Sequence, residues 1–248
     1  MFIKAVNDFH AGSKIGLYLC PMQQGYATKI ILAINLLVFA FMAWHWKGVF
    51  PDNDILFIQL GGVNRFLVMQ EKEYWRLLAA MFMHGGLIHL AMNMYALWIA
   101  GHFLENLLGW KWFTIFYLLC GLGGSVGSIW WNDALVVSVG ASGAIFGIIG
   151  MLTGMLALGK VFQPGSRNRL LKNLLLVIGL NVAFGLSIPG IDNAGHIGGL
   201  LSGLLIGFTI GLGLRPGVTQ RSRQLLALGA AIATTSGIAL FLWIIPMN

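Results

Sequence analysis

The chain is a succession of long apolar runs separated by shorter polar stretches. Seven runs approach the roughly 20 predominantly apolar residues that a membrane-crossing helix needs. They lie near 30–46, from a start between 77 and 89 to about 104, and near 112–130, 134–158, 170–188, 194–214 and 225–245. The runs are continuous rather than alternating, which predicts helices and excludes a closed β-barrel. Between the first two, roughly 47–74, the pattern reads as one long loop. The first 28 residues carry no long apolar run and no evident cleavage site, and they read as a short amphipathic or irregular tail rather than a signal peptide.

Composition agrees with this pattern. Of 248 residues 58% are hydrophobic and 9% charged, against about 25% charged in soluble domains, and the mean hydropathy is +0.81. The 34 glycines suit helices whose backbones approach closely. The two cysteines, Cys20 and Cys120, are far apart, which argues against a disulfide framework or a zinc site. The net charge of +7 does not point to nucleic acid, because the basic residues sit between apolar runs rather than on one face. It reports topology instead. With the N-terminus inside, eleven Lys and Arg fall in inner segments and four (Lys47, Arg65, Lys72 and Arg76) in outer ones, so the positive-inside bias favours a cytoplasmic N-terminus and an outer C-terminus.

Against this apolar background four polar side chains stand out: His89, Asn93, Ser142 and His196. Polar groups inside a bilayer are costly and mark function or pairing. Ser142 lies 18 residues before Lys160, His196 19 before Arg215, and Asn93 18 before Lys111. At about 1.5 Å per helical residue each stands roughly 27–29 Å above its inner anchor, in one outer layer. His89 is one turn above Asn93 on the same face. A serine needs a base, and histidine suits that role near neutral pH. A developing oxyanion needs donors, which His89, Asn93 and the Ser142 backbone N–H can supply if a helix begins at Ser142. Gly140 and Gly143 let the chain turn there, and Phe146, one turn on, can pack on the His196 ring. Asp192, Glu105 and Asp133 sit near span ends, so a Ser–His dyad is a better reading than a triad. Gly199 and Gly203 have helix-packing spacing, and His84 lies higher, near the interface. Taken singly, each of these residues also has a plain packing role.

At these positions the sequence resembles the rhomboid family of intramembrane serine proteases. "HGGLIHLAMNM" (84–94) resembles its His-x4-His-x3-Asn pattern, "GASGAIFG" (140–147) its Gly-x-Ser-Gly motif, and "IDNAGHIGGLLSG" (191–203) its sixth-span histidine and glycines. "YWRLLAAMFMH" (74–84) resembles the Trp-Arg motif of the first loop, here Trp75 and Arg76, and Glu105 falls where the family often has an acid. The resemblance covers about residues 30–214. It implies Ser142 as nucleophile, His196 as general base, and His89, Asn93 and the Ser142 N–H as the oxyanion site. Gly140, Gly143, Phe146, His84, Trp75, Arg76, Gly199 and Gly203 would then be supporting residues. Two departures are visible: Gly195 where alanine is frequent, and Phe146 where some members have tyrosine. The family's gate would involve span five and the "SIPGID" loop, where Pro189 and Gly190 favour a turn.

The expected architecture is an all-α polytopic membrane bundle: a cytoplasmic tail over 1–28, a six-span rhomboid-like core over 29–214, and a loop with a peripheral seventh helix over 215–248. The expected activity is metal-independent and cofactor-free cleavage of transmembrane segments of other proteins near the outer face. The partners are those substrates and the lipid bilayer, without nucleic acid, and the compact loops suggest a bacterial plasma membrane. A small transporter and a non-catalytic membrane chaperone are the alternatives. The first predicts a repeat of related halves, which the sequence lacks. The second predicts that the Ser142 hydroxyl is dispensable.

Overall fold

The computed structural model describes residues 25–51, 55–159, 164–188 and 190–244. The tail over 1–24 with Cys20, the acids Asp52 and Asp54, the anchor Lys160, and Pro189 of the expected turn lie outside the described residues. Regular structure within them is helical: α1 (Tyr26–Trp46), α2 (Ile55–Leu60), α3 (Arg65–Met69), α4 (Arg76–Ala79), α5 (Leu87–Leu108), α6 (Trp110–Trp131), α7 (Ser142–Leu158), α8 (Pro164–Ser187), α9 (Asn193–Gly213) and α10 (Gln220–Ile244). Among the described residues α1, α5, α6, α8, α9 and α10 are long and apolar enough to cross a bilayer. The protein is an integral membrane protein built as an all-α bundle.

The fourth apolar run departs from the sequence pattern. The apolar run covers 134–158, but α7 starts at Ser142, the start on which its N–H as an oxyanion donor depends, and has 17 residues. At about 1.5 Å per residue it rises roughly 26 Å, short of a hydrocarbon core about 30 Å thick. The preceding segment is held open by partners elsewhere in the chain. Val63 and Ser138 exchange both backbone bonds (2.9 and 2.8 Å), and the Gly140 N–H donates to the Ala80 carbonyl at 2.9 Å. The Asn64 amide donates to the carbonyls of Ala134 and Val136. These bonds satisfy backbone groups that a helix would otherwise pair, and non-helical backbone at membrane depth persists only where protein or a cavity surrounds it. The bridge between Val63 and Ser138 is the only isolated one among the described residues.

The stretch between the first two spans is also more ordered than a plain loop. It contains α2 and α3, the latter capped by Asn64, whose side chain accepts from the Leu67 N–H. The segment from Leu77, a possible start of the second span, belongs instead to α4 and a 3-10 turn over Ala80–Phe82, and the spanning helix begins at Leu87. Elements of four to six residues are too short to show a helical period in sequence.

α7 is the innermost helix, buried almost continuously from Ala144 to Leu156. α9 packs along it more extensively than any other pair of elements, and α6 packs on both. A Cβ on Gly199 would run into the Gly143 carbonyl, and one on Gly203 into that of Gly147. Only glycine allows backbones this close. α8 touches α7 and α9 sparsely, and α10 lies on α9 and α6. The N-terminus of α1 has no cap from its own chain neighbourhood. Glu105, fully buried on α5, supplies one: its carboxylate accepts from the N–H groups of Ala27 (2.9 Å) and Thr28 (2.8 Å) and from the Thr28 hydroxyl (2.6 Å). A buried acid satisfied by three donors takes up orphan groups of a helix start.

Candidate active site

Ser142 is the first residue of α7, at a helix end with no side-chain cap. Its position follows from the glycine before it: Gly140 has φ +132°, a conformation open to glycine, which turns the open segment into the helix. His196 lies in the first turn of α9. The Gly199–Gly143 approach brings the two together, with His196 Nε2 2.8 Å from Ser142 Oγ, the geometry in which a hydroxyl donates to a neutral imidazole. Phe146 stacks on the His196 ring with centroids 4.3 Å apart and planes 9° from parallel. His196 Nδ1 is buried with no hydrogen-bond partner among the described residues.

His89 approaches from α5. Its Nδ1 accepts from the Gly85 N–H at 3.2 Å, which leaves Nε2 as the protonated, donating nitrogen of a neutral ring. The position of a Cβ on Gly140 lies 3.0 Å from His89 Nε2 and 3.6 Å from Ser142 Oγ, so both groups border that glycine. Asn93, one turn further, is buried and donates to the His89 carbonyl at 2.9 Å. It therefore braces the helix that carries His89 with one of its two N–H groups. Neither His89 nor Asn93 lines the small cavity shared by Ser142 and His196.

That cavity, about 40 Å³, is lined by Ser125, Ser128, Ser138 and Asp192 together with Ser142 and His196. It is roomy and polar enough for a water or two. Its wall is a connected hydrogen-bond chain. The Ser128 hydroxyl donates to Ser138 (2.8 Å), and Asn132 donates to Ser128 (3.2 Å) and to Asp192 Oδ1 (2.9 Å). Ser125, Ser128 and Asn132 belong to none of the motifs above. Ser125 and Ser128 lie three apart on one face of α6 and Asn132 caps its end, and polar residues at that spacing in an apolar span were the available signal.

The remaining expected site residues organise the surroundings. The Arg76 guanidinium pairs with Glu73, donates to the carbonyls of Ile58 and Gly62, and lies 4.9 Å from the ring centre of Trp75. It ties together the loop whose Val63 and Ala80 hold the segment before Ser142. His84 is wholly buried, its ring edge-on to His89 at 5.1 Å. It precedes the spanning part of α5, and burial pushes its imidazole down to about 3, with His89 adding to the effect and a polar contact to the Phe82 backbone opposing it. Cys120 is buried and unpaired. Among the described residues no three of His, Cys, Asp and Glu gather closely enough to hold a metal ion.

A family model for the rhomboid domain matches residues 71–213, more than half of the chain and all of the geometry above from Glu73 to Gly203. The chain belongs to the rhomboid family. Its rhomboid relatives span several kingdoms. It is 40% identical over 184 residues to RHOMBOID-like protein 6, mitochondrial, of Arabidopsis thaliana, covering 74% of this chain and 59% of that one. It is 33% identical over 216 residues to the rhomboid protease GluP of Bacillus subtilis, covering 87% and 40%. It is 30% identical over 128 residues to Rhomboid-type serine protease 2 of Emericella nidulans, covering 51% and 25%. The chain thus spans less than two thirds of the length of each of these rhomboid relatives.

Proposed function

We propose that the protein is an intramembrane serine endopeptidase that cuts transmembrane segments of other membrane proteins near the outer face of the bilayer. The observation that carries this reading is the 2.8 Å bond between Ser142 Oγ and His196 Nε2, made where an open backbone segment meets the start of a buried helix. Ser142 is the nucleophile. Its proton passes to His196 Nε2 as Oγ bonds to the scissile carbonyl carbon, His196 gives that proton to the amine as the C–N bond breaks, and a water activated by His196 then hydrolyses the acyl-enzyme ester and restores the Ser142 hydroxyl. His89 Nε2–H and the Ser142 N–H face the developing oxyanion, with Asn93 supporting His89 and offering its second N–H. The Phe146 stack holds the imidazole in place of a third acid. No metal or cofactor takes part. That two relatives are named as proteases supports the same reading.

The N-terminus is assigned to the cytoplasm and the C-terminus to the outside, in a bacterial plasma membrane. The six-span core over 29–214 carries the activity, and the segment over 215–248 flanks it.

Purified protein in detergent, given a generic transmembrane substrate and a chelator, tests the mechanism. The wild type is expected to cut, while Ser142→Ala and His196→Ala, shown to be folded, fall by at least about 10³-fold. Cleavage by Ser142→Ala at the wild-type rate rules out the serine mechanism, whereas a wild type that neither cuts nor is labelled at Ser142 by a fluorophosphonate probe favours the chaperone or transporter reading.

A further inference from the structure

Asp192 lines the same small cavity as Ser142 and His196 and is the N-cap of α9, one turn before His196, whose N–H donates to its carbonyl at 3.1 Å. It does not reach the imidazole directly. Its Oδ1 accepts from the Gly195 N–H and from the Asn132 amide, both at 2.9 Å. Those two bonds fix the carboxylate between the start of α9 and the end of α6. Gly195 leaves room for it, since a Cβ there would stand 2.7 Å from Asp192 Oδ2. Meanwhile His196 Nδ1 is buried without a partner among the described residues, although the ring must carry a positive charge once it has taken the serine proton.

We propose that Asp192 is a positioning residue of the Ser142–His196 pair: a carboxylate held at fixed distance by Asn132 and the α9 N-terminus, whose charge stabilises the His196 imidazolium across the shared cavity. The inference rests on the proposed hydrolase mechanism. The proton bookkeeping is that of the dyad: the proton leaves Ser142 Oγ as the Oγ–carbon bond forms, resides on His196, and departs with the amine. Asp192 takes up no proton at any step. It acts only while His196 is charged, so its effect falls on the chemical step and not on substrate binding. A full charge one turn away, about 6 Å, at an effective dielectric of about 20, corresponds to on the order of a hundredfold in rate.

The alternative is that Asp192 only caps a helix, and an isosteric exchange separates the two. Asn in place of Asp keeps a carbonyl oxygen for both bonds and removes the charge, whereas Glu keeps the charge and spoils the cap. The experiment measures labelling of Ser142 by a fluorophosphonate probe, and kcat and KM on a transmembrane substrate, for the full chain in detergent, all per folded protein. Asp192→Asn is expected to label on the order of a hundredfold more slowly, with kcat reduced alike and KM unchanged, and Asp192→Glu is expected to label faster than Asp192→Asn. Labelling by Asp192→Asn within twofold of wild type, or Asp192→Glu slower than Asp192→Asn, overturns the proposal and leaves a helix cap. If the wild type itself is not labelled at Ser142, the hydrolase mechanism fails and this inference with it, a result distinct from the other two.

Discussion

A serine buried in an apolar span becomes usable only if its base is held and its surroundings stay polar. In the proposed pair of Ser142 and His196, a ring stack and a polar cavity wall would serve that purpose, with no acid bonded to the imidazole. The neighbouring His84 shows the cost of such burial. Its imidazole is pushed down to about 3 in the folded protein, whereas in an unfolded chain it titrates near 6.5. Below pH 6.5 the unfolded state therefore takes up a proton that the folded state refuses. Stability is full above that pH and falls as pH drops toward 3, by about 1.4 kcal/mol per pH unit for this one group. Thermal unfolding in detergent is expected to come markedly earlier at pH 5 than at pH 7.5, and His84→Gln is expected to narrow that gap. An undiminished gap in the variant would assign the pH dependence to other groups. At this scale much was legible, because a polar side chain in an apolar run is conspicuous: Ser142, His196, His89 and Asn93 were all visible. The Asn132–Asp192 bond was not, since it joins two helix ends with both α7 and α8 between them in the chain.

At the scale of elements, glycines decide which helices touch. The small-residue spacing of Gly199 and Gly203 was readable in sequence, but their partners, the carbonyls of Gly143 and Gly147, were not. Gly199→Ala is expected to cost about 1–3 kcal/mol of stability and to separate the Ser142–His196 pair, because the added carbon meets backbone that cannot yield. Gly179→Ala on α8, where a Cβ meets nothing within 4 Å, is expected to change stability by less than about 0.5 kcal/mol. Equal losses in the two variants, read by thermal unfolding in detergent, would deny the close contact its role. A helix start at Ser142 was open in the sequence, but what holds the preceding segment out of the helix was not legible, for a related reason. Residues 134–141 are apolar enough to be helix, and what opens them is Val63, Asn64 and Ala80, brought from an earlier loop. Local pattern carries no trace of such distant bonds, nor of α2 and α3 within that loop.

For the whole molecule, the order of spans was legible in hydropathy, and the basic residues supply an expected orientation. Orientation is testable with a membrane-impermeant thiol reagent on intact cells, in a background lacking the native cysteines. Leu135→Cys, in the α6–α7 connection and 94% exposed, is expected to be labelled from outside. Thr219→Cys, exposed before α10, is expected to react only after permeabilisation. The reverse pattern would turn the molecule over and put the candidate site on the cytoplasmic side.

The carboxylate of Glu105 that seats the start of α1 also bears on how the bundle is born. The residues it joins, Ala27 and Glu105, are 78 positions apart in the chain. At about 5–20 residues per second of translation, the first turn of α1 emerges roughly 4–16 s before the group that satisfies it. Through that interval its bare amides must remain hydrated, since lipid offers them nothing. The helix can thread the membrane early, but these first amides gain their protein partner only once α5 has followed it in.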